Sequence, residues 1–118
     1  MGNMDWLAEA ESYLNECRGR ASSVRASEFA LRVKRTPVQL AKEFRATVGR
    51  CVKDHLESQQ IERAKELLRN TRSSTAQIAV DAGFGTARSF YRAFRRRTGV
   101  SPTEYRKEMS LAATAFRH

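Results

Sequence analysis

Apolar residues recur along this chain at helical spacing, and the breaks between them fall at glycines, small polar residues and two prolines. Between Asp5 and Arg18, the residues Trp6, Ala10, Tyr13, Leu14 and Cys17 form one stripe of an amphipathic helix, and Gly19 to Ser23 reads as a loop. A second helix is predicted over Ala26 to Val33, with Phe29, Ala30 and Val33 turned inward and Val24 placed as a hydrophobic staple. The run Lys34-Arg35-Thr36-Pro37 then turns the chain into a third helix, with Thr36 at its N-cap and Pro37 in its first turn, carrying Leu40, Phe44 and Val48 to a stop at Gly49. Cys51 to Arg69 contains neither proline nor glycine, and Val52, Leu56, Ile61, Ala64, Leu67 and Leu68 predict one long helix there. Thr75 to Ala82 predicts a short helix, followed by the glycine turn Gly83-Phe84-Gly85 and a helix that Thr86 caps and Gly99 ends. Ser101 and Pro102 start a last helix in which Tyr105 closes the core, while the alanine-rich stretch from Ser110 to His118, with Leu111 and Phe116, could equally dock or fray.

The helix after Thr86 has two chemically distinct faces. At 100° per residue, with Phe90 at zero, Phe94 and Ala87 fall at roughly 40° and 60°, while Arg95, Arg88 and Arg92 fall at roughly 140°, 160° and 200°. Arg96 and Arg97 follow, with no acid in the helix. Like charge on a rigid element repels itself unless a polyanion meets it, and a glycine turn feeding a basic helix is how a helix-turn-helix meets a major groove. DNA is therefore favoured over a merely solvated face. The pattern also repeats: Thr36, Leu40, Phe44, Arg45 and Gly49 return as Thr86, Phe90, Phe94, Arg95 and Gly99 at a constant offset of 50 residues (86 − 36), and Ala30 and Ala79 continue the match with a slip of one residue. Two similar helix-turn-helix units follow. The roughly 20 residues between them, at ~1.5 Å each, span roughly 30 Å, near the ~34 Å between successive major-groove faces of B-DNA.

Composition narrows the classes. With 118 residues and 41% hydrophobic content, the chain is one small domain or two very small ones sharing a helix. Its net charge of +9 points to nucleic acid or an anionic membrane surface. Four acids against Arg18 leave the first 18 residues at −3 and the remainder at +12, so the first helix is expected to sit away from phosphates. No apolar run approaches the ~20 residues that span a bilayer and no signal peptide opens the chain, so a cytoplasmic, nucleoid-associated protein is expected. Met1-Gly2-Asn3 reads as a loose end left from cloning. Cys17 and Cys51 suggest neither a disulfide framework nor a zinc site, and the pair Cys51 and His55 reads as a half-buried thiol beside a helical histidine rather than a metal site. No nucleophile, base and oxyanion set can be assembled, so no enzyme and no cofactor are expected. The rival readings are a basic RNA-binding protein and a protein-interaction module contacting partners through the acidic first helix.

The run Ile78-Ala79, Gly83-Phe84, Phe90, Arg92, Phe94, Gly99, Ser101-Pro102 and Tyr105-Arg106, with Phe29-Ala30, Thr36, Leu40, Phe44, Gly49, Ile61, Ala64 and Leu67-Leu68 upstream, resembles the AraC/XylS family of bacterial transcription regulators over about residues 5–107. The resemblance implies an all-α fold of seven helices in two helix-turn-helix subdomains joined by a long linker helix. It divides the chain into 1–49 (N-terminal helix and first unit), 50–70 (linker), 71–107 (second unit and closing helix) and 108–118 (tail). It implies sequence-specific binding to double-stranded DNA near a promoter, with RNA polymerase as a further partner. Base contacts would come from Val38, Gln39, Ala41 and Lys42 in the first unit, and from Ala87, Arg88, Tyr91 and Arg92 in the second. Lys34, Arg35, Thr36, Arg45, Thr86, Arg95 and Arg96 are expected on phosphates. Gln60 stands where the family usually has arginine, Thr75 where an aliphatic residue is common, and Lys34-Arg35 where a glycine turn is frequent. Most members carry a separate ligand-binding or dimerisation domain, so two options stand: a small stand-alone regulator controlled by its abundance, or a monomeric DNA-binding piece of a larger regulator that dimerises through another domain, toward which the leading Met1-Gly2-Asn3 tilts the reading.

Overall fold

A computed structural model of the chain describes residues 4–115, with side chains through Leu111, so Met1-Gly2-Asn3 and Phe116 lie outside the described residues. These residues form seven α-helices and no strand: α1 (Trp6–Arg20), α2 (Ala26–Arg32), α3 (Pro37–Val48), α4 (Val52–Asn70), α5 (Thr75–Asp81), α6 (Ala87–Thr98) and α7 (Pro102–Ala115). The first helix runs through Arg20, into the stretch expected as a loop, and ends on Ala21 in the left-handed region. The last helix continues past residue 107 to Ala115.

Two hydrophobic cores share α4. Its first half places Val52 and Leu56 beneath Trp6, Tyr13, Phe29, Leu40 and Phe44. Its second half places Ile61, Ala64 and Leu68 beneath Ile78, Phe90 and Phe94. Residues three and four apart share a helix face, so one unbroken helix serves both cores in turn. In the first core Tyr13 stacks on Phe29 with centroids 5.3 Å apart and Trp6 meets the Phe29 ring edge-on at 6.4 Å. In the second, Phe84, Phe90, Phe94 and Tyr105 form a chain of rings with successive centroids 5.3, 5.7 and 5.4 Å apart. Acids of α1 turn toward α2, where Glu9 and Glu16 both hold Arg32.

The two units are also fastened directly. The Val24 N–H donates to the Gly83 carbonyl at 2.8 Å. The buried Gln60 amide of α4 donates to the carbonyls of Ala82 and Gly83 at 3.2 and 3.0 Å. Gly83 has φ +84, and a Cβ there would come within 2.6 Å of Val24 Cγ2, so only glycine fits against the first unit at this point. Val24 thus packs on the other unit's turn as well as on its own core.

Candidate nucleic-acid interface

Each unit presents its exposed helix through the same local chemistry. The turn before α3 carries Arg35 N–H to Ala30 O at 2.9 Å, and the turn before α6 carries Phe84 N–H to Ala79 O at 2.9 Å, positions 49 apart (84 − 35). The next matched pair, the caps Thr36 and Thr86, lies 50 apart, so Gly85 is the inserted residue that produces the slip in the repeat. Thr36 accepts the Gln39 N–H at 3.1 Å while the Gln39 side chain accepts the Thr36 N–H at 3.0 Å, a complete capping box. Thr86 accepts the Ser89 N–H at 3.0 Å. Both helices are 12 residues long and end on left-handed glycines, Gly49 and Gly99, whose N–H groups return to Arg45 O and Arg95 O.

All eight residues expected at base edges are exposed; Val38 and Lys42 lie opposite Leu40 in α3 and Arg88 and Arg92 opposite Phe90 in α6, while Ala87, in the first turn of α6, is exposed on the aromatic side. Val38 is 78% exposed, an apolar side chain offered to solvent at the start of α3. Ala41 and Ala87 leave room beside Lys42 and Arg88, and Lys42, Arg88 and Arg92 make no ion pair among the described residues. Gln39 is committed in part to its capping box, and the Tyr91 hydroxyl shares a 3.0 Å hydrogen bond with Thr103 of α7. Of the residues expected on phosphates, Lys34, Arg45 and Arg95 make no ion pair among the described residues, and Thr36 and Thr86 sit exposed at the caps. Arg35 is held by Glu43 at 2.9 Å.

Arg96 departs from the expected uncompensated arginine face. Although α6 has no acid of its own, α4 brings Glu57 against both Arg96 and Arg97, and Asp54 against Arg97 at 2.5 Å. Burial alone would raise the Glu57 carboxyl, but hydrogen bonds from Arg97 and Arg96 hold it below its ordinary range. Hydrogen bonds from Arg50 and Arg97 do the same for Asp54. These partners lie about 40 residues from Arg97 in sequence, and no local pattern announces them. The outcome sorts the basic residues: Arg88, Arg92 and Arg95 project without acid partners among the described residues, while Arg96 and Arg97 brace α6 on α4.

Cys51 is exposed, not half-buried, and its sulfur caps α4 by accepting the Asp54 N–H at 3.4 Å. His55 is buried against Phe44, with ring centroids 5.5 Å apart. Among the described residues no group of three or more His, Cys, Asp or Glu side chains is placed to hold a metal ion, and no helix is long and apolar enough to cross a membrane. Gln60 is the residue sequence reasoning undervalued. Its role depends on carbonyls 22 and 23 residues away, and its only local signal is glutamine at a position facing the cores.

The same arrangement occurs in known proteins. The family model of the helix-turn-helix domain matches residues 29–108. An HTH-type transcriptional regulator of Mycobacterium tuberculosis is 37% identical over 91 residues, covering 76% of this chain and 35% of that protein. The arabinose operon regulatory protein of Escherichia coli is 38% identical over 71 residues, covering 60% of this chain and 24% of that protein. The chain therefore spans about a third or less of the length of these curated relatives. Among solved structures, the C-terminal domain of the response regulator yesN from Fusobacterium nucleatum superposes with a TM-score of 0.77 at 22% identity, covering 87% of this chain and 99% of that one. The DNA-binding domain of the transcriptional factor AdpA, solved in complex with a target DNA, superposes with a TM-score of 0.75 at 24% identity, covering 89% and 93%. At these identities the two structures show a shared fold.

Proposed function

The chain belongs to the AraC-type helix-turn-helix family, and we propose that it is the DNA-binding part of a transcription regulator, setting α3 and α6 into successive major-groove segments of one duplex. One observation carries this reading: two 12-residue helices with matching caps and turns each offer a free basic face, and a single unbroken α4 joins them. The 19 residues of α4 between them, at ~1.5 Å each, span roughly 29 Å, near the ~34 Å between successive groove faces. Arg88 and Arg92 take guanine edges, where arginine bonds O6 and N7 together, and Lys42 does the equivalent from α3. Val38 and Ala41 meet thymine methyls, and Gln39, Ala87 and Tyr91 line the same surfaces. Lys34, Arg45 and Arg95, with Arg35, Thr36, Thr86 and Arg96 beside them, hold phosphates and set the register.

The protein acts by binding rather than catalysis, in the cytoplasm on the nucleoid, as a monomeric domain of a regulator that meets RNA polymerase at a promoter. Selection from a random duplex library tests the core of this. An asymmetric site with two preferred segments about one helical turn apart is expected, and single-segment or no enrichment would overturn it. Competition by RNA at two salt concentrations discriminates the rival reading, because an RNA-binding protein would prefer the RNA.

A further inference from the structure

The fastening at Val24, Gln60 and Gly83 divides two grooves of opposite character. One, of about 560 Å³, has Glu11, Glu62, Glu66 and Asp81 against Arg18 and Arg63. The other, of about 650 Å³, is walled by Arg25, Lys53, Arg88, Arg92 and Arg96, with Glu57 as the one acid in its lining. That acid is already bonded to Arg96 and Arg97. Arg25, Lys53, Arg88 and Arg92 make no ion pair among the described residues, so the second groove carries four unneutralised cations.

We propose that this basic groove grips the sugar-phosphate backbone of the DNA lying between the two major-groove segments, with Arg25 and Lys53 holding phosphates there. The proposal rests on the duplex-binding reading above. Arg88 and Arg92 belong both to the groove wall and to the exposed face of α6, so a duplex seated on α6 runs past the groove. The acids of the opposite groove would repel phosphates, which decides the side. Arg25 is fixed at its backbone, its N–H donating to the Tyr13 hydroxyl at 2.8 Å and its carbonyl accepting from that hydroxyl at 3.0 Å, while the guanidinium is left free of acids. Lys53 stands exposed in the first turn of α4, between the units. The loop before α2 and the linker thus add a central zone of phosphate binding to the two outer ones.

Arg25→Ala combined with Lys53→Ala tests this on the duplex recovered by selection. Removing one cation from a phosphate should flatten the dependence of log affinity on log salt by about 0.9, so the double variant should lose about two units with base preference unchanged. Arg18→Ala, which removes a cation from the opposite groove, should leave the slope as it is. Neutral methylphosphonates placed at the phosphates between the two segments should weaken binding by the native chain and leave binding by the double variant unchanged. An unchanged salt slope, or methylphosphonate and side-chain losses that simply multiply, would overturn the groove assignment and leave sequence-specific binding standing. Failure of any duplex to be enriched would overturn both.

Discussion

At the scale of single residues, Lys34 and His55 each hold an unfavourable state that can be measured. Lys34 has φ +58, the counterpart in the first turn of Gly83 in the second, and a left-handed non-glycine residue costs roughly 1–2 kcal/mol, partly offset by the chain entropy that glycine would lose. Lys34→Gly should therefore raise stability by about 0.5–1 kcal/mol in a urea titration while flattening the salt dependence of DNA binding by about one unit. This tension was visible in the sequence, since lysine stands where a glycine turn is usual; its angle was not. The His55 ring is 7% exposed with Nδ1 unpaired, and burial, reinforced by the Arg50 charge, lowers its pKa. The unfolded chain then takes up that proton first as pH falls, so stability should decline as pH drops below about 6.5 and level off below the folded-state value. Urea midpoints at pH 7.5 and 5.5 should separate in the native chain and converge in His55→Leu. The lowered Asp54 and Glu57 carboxyls act in another window, losing their contribution only as pH falls below about 4.

At the scale of elements, the helices were legible because their signals are local. Caps, stripes and terminal glycines lie within a few residues of the helix they define, and the box at Thr36 is one of them. Thr36→Ala loses the bond from the Gln39 N–H to the threonine hydroxyl, keeps the backbone N–H that the Gln39 side chain accepts, and should cost about 1 kcal/mol in a denaturant titration. What α6 packs against was less legible, because the carboxylates of Asp54 and Glu57 come from a helix read only for its apolar positions. Their pairing with Arg96 and Arg97 changes which arginine best reports phosphate contact. Arg88→Ala should cost about 1–3 kcal/mol on the selected duplex and relax preference at one base pair, whereas Arg95→Ala should weaken all duplexes alike and flatten the salt slope by about one unit. A uniform loss from Arg88→Ala, read by competition among single-base variants, would remove it from the base edges. Arg96→Ala should change the slope less than Arg95→Ala.

At the scale of the whole molecule, the relative placement of the two units rests on α4 and on the contact of Val24 and Gln60 with Gly83. The sequence made the linker helix evident but not this second fastening, whose partners are 22 to 59 residues apart. Gly83→Ala would drive a methyl to within 2.6 Å of Val24 and force alanine to φ +84. A loss of about 1–3 kcal/mol in stability is expected, together with affinity for the two-segment duplex falling toward that for one segment alone. Thermal melting and titration of split duplexes would read the two effects separately. The clasp at Gly83 joins amides to carbonyls and contains no ions. Ionic strength that strips this protein from a polyanion should therefore leave its two halves in the same mutual pose, ready to re-engage both segments together when the salt is diluted.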